Sequence, residues 1–163
     1  ATTKIYTLSL HDALPICDLL INEQQFEKEP HSGEWYGTSG WAARLALARM
    51  GSEPDIARCI EVVESEKDPV VRVTVLLRDL AYIRQPDAVS IIRRYLNSDE
   101  RLPAVREGTP GVRFVQYALD VLTEVFDGFP VEKRCVGAYS DAEIETCREW
   151  MKDEGNWRHR IRR

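Results

Sequence analysis

Helix openings recur along this chain with matching residues. Gly40 to Arg44, Asp68 to Arg72 and Thr109 to Arg113 each place an arginine four residues into a helical segment, directly behind Ala43, Val71 or Val112. The segments that follow the first two open on Pro54-Asp55 and Pro86-Asp87, and proline in the first turn of a helix forfeits no hydrogen bond. Asp68 follows Gly40 by 28 residues, Pro86 follows Pro54 by 32, and Thr109 follows Asp68 by 41, the excess being a polar connector from Ser98 to Gly108. One short helix pair has too little apolar surface for a core of its own, so pairs that repeat in this way stack on one another. The expected fold class is all-α, an α-solenoid of about three stacked antiparallel helix pairs.

From Cys17 onward the apolar residues recur at helical spacing, and no run of length alternates as a strand would. A weak helix is expected over about Asp18 to Lys28, followed by a loop, His31 to Ser39, whose Trp35 and Tyr36 would cover an edge of the core. Gly40 to Met50 reads as a helix capped by Thr38 or Ser39 and stopped at Gly51. Pro54 to Ser65 buries Ile56, Cys59, Ile60 and Val63. The next helix starts on Asp68-Pro69, runs to about Ile83, and has almost no polar face; it must be covered on several sides and forms the centre of the fold. Pro86 to Asn97 turns Val89, Ile92 and Leu96 inward. Pro110 to about Phe126 is expected as a helix capped by Thr109, with Val112, Val115, Leu119, Leu122 and Phe126 inside and Arg113, Gln116, Asp120, Glu124 and Asp127 outside. After a second connector, Ser140 and Glu143 form the pattern of a capping box for a helix that ends near Gly155.

The segment DPVVRVTVLLRDLAYIRQPDAVSIIRRYL, Asp68 to Leu96, resembles the HEAT-repeat family, in particular its short bacterial form related to phycobilisome lyase repeats. The family pattern, an aspartate at the cap and an arginine one turn later, is met by Asp68 and Arg72; at Arg44 and Arg113 the capping position holds Gly40 or Thr109 instead. The resemblance covers about Gly40 to Phe126 and implies a scaffold whose second helices line a concave, partner-binding face. Three units of organisation are expected: residues 1–16, residues 17–156 as the helical repeat domain, and a basic tail, 157–163. The string YTLSLHDALPI within the first of these resembles a translated sequencing-adapter read-through, so that 1–16 is read as a non-native leader and the native start is expected upstream.

Little in the sequence announces chemistry. There is no phosphate-binding glycine loop, no GxSxG, no HExxH and no calcium loop. His11, His31 and His159 have no partner at metal-ligand spacing. No catalytic, metal or cofactor residue is therefore assigned, and no cofactor is expected. The four cysteines include no CxxC pair and read as reduced thiols, with a Cys135–Cys147 disulfide left open for an exported protein. A net charge of −5 disfavours nucleic acid, since phosphates call for a basic surface. No apolar run reaches the roughly 20 residues needed to span a bilayer. A cytoplasmic location is expected, with export left open by the missing start.

Two surface features remain. Arg58, Arg93 and Arg94 lie on second helices and can form a small anion- or carboxylate-binding surface, or can pair with neighbours such as Glu61 and Asp87. The tail WRHRIRR can touch an anionic partner, or can fray into solvent. The functional expectation is a non-catalytic HEAT-repeat scaffold that binds a protein partner through its concave face. The alternatives are an enzyme or enzyme accessory of the helical-repeat type, bilin lyase-like or DNA glycosylase-like, and nucleic-acid binding through Arg93, Arg94 and the tail.

Overall fold

The computed structural model describes residues 39–104 and 110–162. The expected helix over Asp18 to Lys28, the loop with Trp35 and Tyr36, the leader, Cys17 and the Thr109 cap all lie outside the described residues. Among those described, the chain is all-α. Helix α1 is Ser39–Arg49, α2 is Glu53–Ser65, α4 is Pro86–Leu96, α5 is Phe114–Val125 and α6 is Asp141–Lys152. Helix α3 joins three consecutive pieces: an α turn Pro69–Val71, a π-helical turn Arg72–Leu76 and an α segment Leu77–Ile83. A short helix α7, Glu154–Trp157, and a 3-10 turn, Arg158–Arg160, close the chain. No helix among the described residues is long and apolar enough to cross a membrane.

The starts and stops follow local chemistry. Gly51 adopts φ +94 after α1, the left-handed conformation that glycine enters without a Cβ penalty, and its N–H bonds to the Ala48 carbonyl at 3.0 Å. The Asp68 carboxylate accepts from the Val70 N–H at 2.8 Å. Ser140 and Glu143 make the reciprocal capping box, with Ser140 N–H to Glu143 Oε2 at 2.9 Å and Glu143 N–H to Ser140 Oγ at 3.3 Å.

Helix α1 packs on α2 and on α3, and α2 packs in turn on α3 and α4. Helix α3 also contacts α4 and α5; α4 contacts α5 and α6; and α5 contacts α6. A single core runs through all of them, from Trp41 and Ala48 through Leu76, Leu80 and Ile92 to Leu119, Ile144 and Trp157. Helix α3 is central, as its composition requires, but it is not covered all round. Val70, Val75 and Tyr82 are exposed while Val73, Leu76, Leu77 and Leu80 are buried. The π turn widens the helix over Arg72–Leu76 and changes which side chains share a face, so the run of valines divides between core and solvent. Thr74 Oγ1 donates to the Val70 carbonyl there at 2.7 Å.

Three expectations need correction. The sixth predicted helix begins at Phe114, not Pro110, and Arg113 is its N-cap residue rather than a position one turn inside. Residues 110–113 instead run beside 100–102: the Leu102 N–H donates to the Val112 carbonyl at 2.9 Å and the Phe114 N–H to the Glu100 carbonyl at 2.8 Å. A Cβ at Gly111 would fall 1.7 Å from the Leu102 carbonyl oxygen, so only glycine permits this approach. Second, Gln116 and Asp120 are buried rather than solvent-facing. The Gln116 amide clamps the second connector, donating to the Tyr139 carbonyl at 2.8 Å and accepting from the Tyr139 N–H at 3.1 Å.

Third, the C-terminal segment is docked rather than frayed. Helix α6 stops at Lys152, where the Asp153 side chain accepts from the Gly155 N–H at 2.9 Å and opens α7. Trp157 is fully buried against Phe126, with ring centroids 6.1 Å apart. Beyond it, the Asp127 N–H donates to the Arg160 carbonyl at 3.0 Å and the Arg162 N–H to the Val125 carbonyl at 2.8 Å. The Arg162 guanidinium then reaches the Asp127 carboxylate at 2.8 Å. Trp157 carries the attachment, because indole burial outweighs the solvation of the flanking arginine heads, which stay exposed.

Candidate functional site

The arginines at the matching sequence positions, Arg44, Arg72 and Arg113, make contacts between or within helices. In the first pair, Arg44 of α1 reaches Asp55 in the first turn of α2 at 3.4 Å. In the third, Arg113 pairs with Asp141 in the first turn of α6. The middle pair differs: Asp87 is exposed, and Arg72 donates to the Glu66 carbonyl from Nε at 3.0 Å. Asp68 caps its own helix, accepting from the Val70 N–H.

Arg58 of α2 and Arg93 and Arg94 of α4 each face a carboxylate. Arg58 lies 2.7 Å from Glu61, one turn on, the neighbour pairing that its position allows. Arg94 reaches from α4 to Glu64 of α2 at 2.8 Å, and Arg93 reaches Glu154 of α7 at 3.7 Å. Exposed pairs of this kind contribute at most about 1 kcal/mol each. They also neutralise the surface, and His159 lies exposed beyond it in the closing 3-10 turn.

A more distinctive arrangement lies among α1, α3, α5 and the second connector, and it was not singled out from the sequence. A groove of about 260 Å³ is lined by Arg49 at the end of α1, by Arg78, Tyr82 and Arg84 of the α3 region, by Asp120 and Glu124 of α5, and by Lys133 of the second connector. Arg78 lies 3.5 Å from the buried Asp120 carboxylate, and Lys133 pairs with Glu124. The Arg49 guanidinium stacks 4.7 Å from the Tyr82 ring centroid and donates to the Tyr82 carbonyl at 2.8 Å. Arg84 donates to the Arg162 carbonyl at 3.3 Å. Periodicity within one helix does not reveal this cluster, because its members come from three separate helices and a connector.

A second hollow, about 420 Å³, opens between Arg101, Val112, Arg113, Gln116, Tyr139, Ser140 and Asp141. Its polar groups are largely engaged within the fold: Arg113 with Asp141, Gln116 with the Tyr139 backbone, and Arg101 with the Gly111 carbonyl at 2.9 Å. Among the described residues no three His, Cys, Asp or Glu side chains come together as metal ligands would.

The thiols are separate. Cys135 is exposed, while Cys59 and Cys147 are buried, and all three are free, so the Cys135–Cys147 disulfide does not form. Burial pushes both the Cys59 and Cys147 thiols up to about 12, which keeps them protonated and unreactive at neutral pH. Under native conditions a maleimide is therefore expected to label Cys135 and to spare Cys59 and Cys147 until denaturant is added. Peptide mapping showing native labelling of either buried thiol contradicts this.

Beneath α1, the Trp41 indole N–H donates to Asp79 Oδ2 at 2.7 Å. Burial raises the Asp79 pKa, and the Trp41 hydrogen bond opposes this only in part. A raised carboxyl contributes stability that is complete below its unfolded value, about pH 4, and is lost as pH rises through the folded value. Asp79→Asn keeps an acceptor for the indole and removes the ionisation. Its melting temperature should match the parent near pH 4 and exceed it at pH 7; a parent that gains stability relative to the variant over that interval refutes the assignment.

No family model matches the chain, and neither a curated protein nor a solved structure is significantly similar to it.

Proposed function

We propose that this chain is a HEAT-like α-solenoid unit that serves as a non-catalytic protein-binding scaffold. The packing of successive pairs supports the architecture: first helix on first helix, α1 to α3 to α5, and second on second, α2 to α4 to α6. Matching pairs Arg44–Asp55 and Arg113–Asp141, each joining a first helix to the opening turn of its second, fit repeated units. The observation that carries the binding role is where the exposed large apolar side chains fall. Among the described residues these are Met50, Val70, Val75 and Tyr82, all on or at the end of first helices. Water-exposed apolar groups gathered on one side of a stack favour contact with a partner.

The contact face of this reading is thus the first-helix side, in place of the concave second-helix face that the HEAT resemblance implies. The second-helix side is polar, with Arg58, Arg93 and Arg94 each set against a glutamate. The same pairing, together with the docked C-terminal segment, leaves the nucleic-acid alternative with little cationic surface there. The test is photo-crosslinking in source cells with benzoylphenylalanine placed at Val75 or, as a control, at the exposed Ala57 of α2. Protein adducts from position 75 and none from 57 are expected. Adducts from 57 alone, or from neither, contradict the proposal.

A further inference from the structure

The groove between α1, α3 and α5 holds two arginines, Arg49 and Arg84, that make no ion pair among the described residues. Its lining brings four cations, Arg49, Arg78, Arg84 and Lys133, against two carboxylates, Asp120 and Glu124. Those carboxylates are engaged by Arg78 at 3.5 Å and by Lys133. Arg162, at the rim, faces Asp127 at 2.8 Å. Among the described residues, Arg49 and Arg84 make no ion pair within 4.0 Å. This excess sits on a chain whose overall charge is −5.

Both guanidiniums are held in place, and each keeps donors to spare. Arg49 is stacked on Tyr82 and anchored to the Tyr82 carbonyl; Arg84 is anchored to the Arg162 carbonyl. A guanidinium carries five N–H donors in a planar fork, so one backbone bond leaves most of the fork available. Arg84 also stands where its backbone is disfavoured. It ends α3 at φ 55 and ψ 31, a left-handed cap that glycine occupies without strain. A non-glycine residue there costs about 1 kcal/mol, and such an outlier is a reason to look for a role for its side chain. The neighbouring charges agree: burial lowers the Arg84 pKa first, and the Arg49 and Arg162 cations lower it further, against Glu124 and Asp127.

We propose that this groove is a binding site for a tetrahedral oxyanion, phosphate or a phosphate monoester, held between the guanidinium groups of Arg49 and Arg84. A phosphate offers acceptors on several sides and can meet two forks at once, whereas a single carboxylate presents one edge. The site is independent of the scaffold reading, since it needs no protein partner to form.

The direct test follows arginine Nε–H resonances of the full chain during titration with inorganic phosphate at constant ionic strength. Saturable shifts are expected at Arg49 and Arg84 and not at Arg58, which lies beside Glu61. Arg84→Gly suits the left-handed backbone, so it should keep the melting temperature while weakening phosphate binding about tenfold or more, the loss of a charge-assisted hydrogen bond. Arg84→Lys keeps the charge without the fork and should also bind more weakly. A parallel titration with O-phosphoserine distinguishes the source: tighter binding than inorganic phosphate supports a presented monoester, and equal binding supports the free ion. The proposal is overturned if shifts do not saturate, if all arginines shift alike, or if Arg84→Gly binds phosphate as the parent does.

Discussion

Trp157→Ala should destabilise the protein by about 3–5 kcal/mol, the range for deleting a buried large aromatic side chain. The indole is fully buried and meets Phe126 edge-on, and Phe126 in turn touches Trp150 at a centroid separation of 5.2 Å and Phe129 at 5.7 Å. Its loss also removes the support that holds 158–162 along Val125 and Asp127. Trp157→Phe should behave differently. Among the described residues, Trp157 Nε1 is buried without a hydrogen-bond partner, and such a group costs about 1–3 kcal/mol in the folded state. Phenylalanine removes that donor while keeping much of the apolar contact, so its cost should stay well below that of alanine. Chemical denaturation of both variants measures this, and equal losses would show that the indole N–H is not an energetic burden.

Leu80→Ala is the second large effect, about 2–5 kcal/mol. Leu80 is fully buried on α3, the helix that contacts α1, α2, α4 and α5, and a close-packed interior leaves a cavity where its side chain is removed. Val75→Ala on the same helix should change stability by no more than about 0.5 kcal/mol, since that side chain is exposed. The pair tests how the π turn divides α3: comparable losses at the two positions would mean that Val75 is buried as well.

The helices were legible wherever local chemistry decides. Asp68-Pro69, Ser140 with Glu143, and Gly51 each fix an end through a hydrogen bond or a backbone preference contained within a few residues. The faces of α2 and α4 followed from period, with Ile56, Cys59, Val63, Val89, Ile92 and Leu96 buried as expected. Long-range contacts were not legible. Residues 110–113 leave the helix because Glu100 and Leu102, several residues away, supply better hydrogen-bond partners. Gln116 reads as a surface residue until the Tyr139 backbone comes to lie against it.

The candidate site shows the same limit. Arg58, Arg93 and Arg94 could be found on helix faces by spacing, but not the glutamates that meet the latter two, Glu154 and Glu64, which come from other helices. Arg49 and Arg84 are helix-terminal residues without periodic company. The one local signal at Arg84 was the absence of glycine where α3 had to stop before Gln85-Pro86.

The central claim is that the pairs form a stack in which each is held chiefly by its neighbour, and native-state hydrogen exchange tests it most directly. In such a stack the α5–α6 pair can open from its own end while the first pair stays formed. Val63→Ala creates a cavity in the fully buried interior of α2. It should lower the protection of amides in α1 and α2 while leaving those of α6, Asp141–Lys152, unchanged. An equal loss of protection across α1, α2 and α6 would contradict the stack and describe a single cooperative helical bundle.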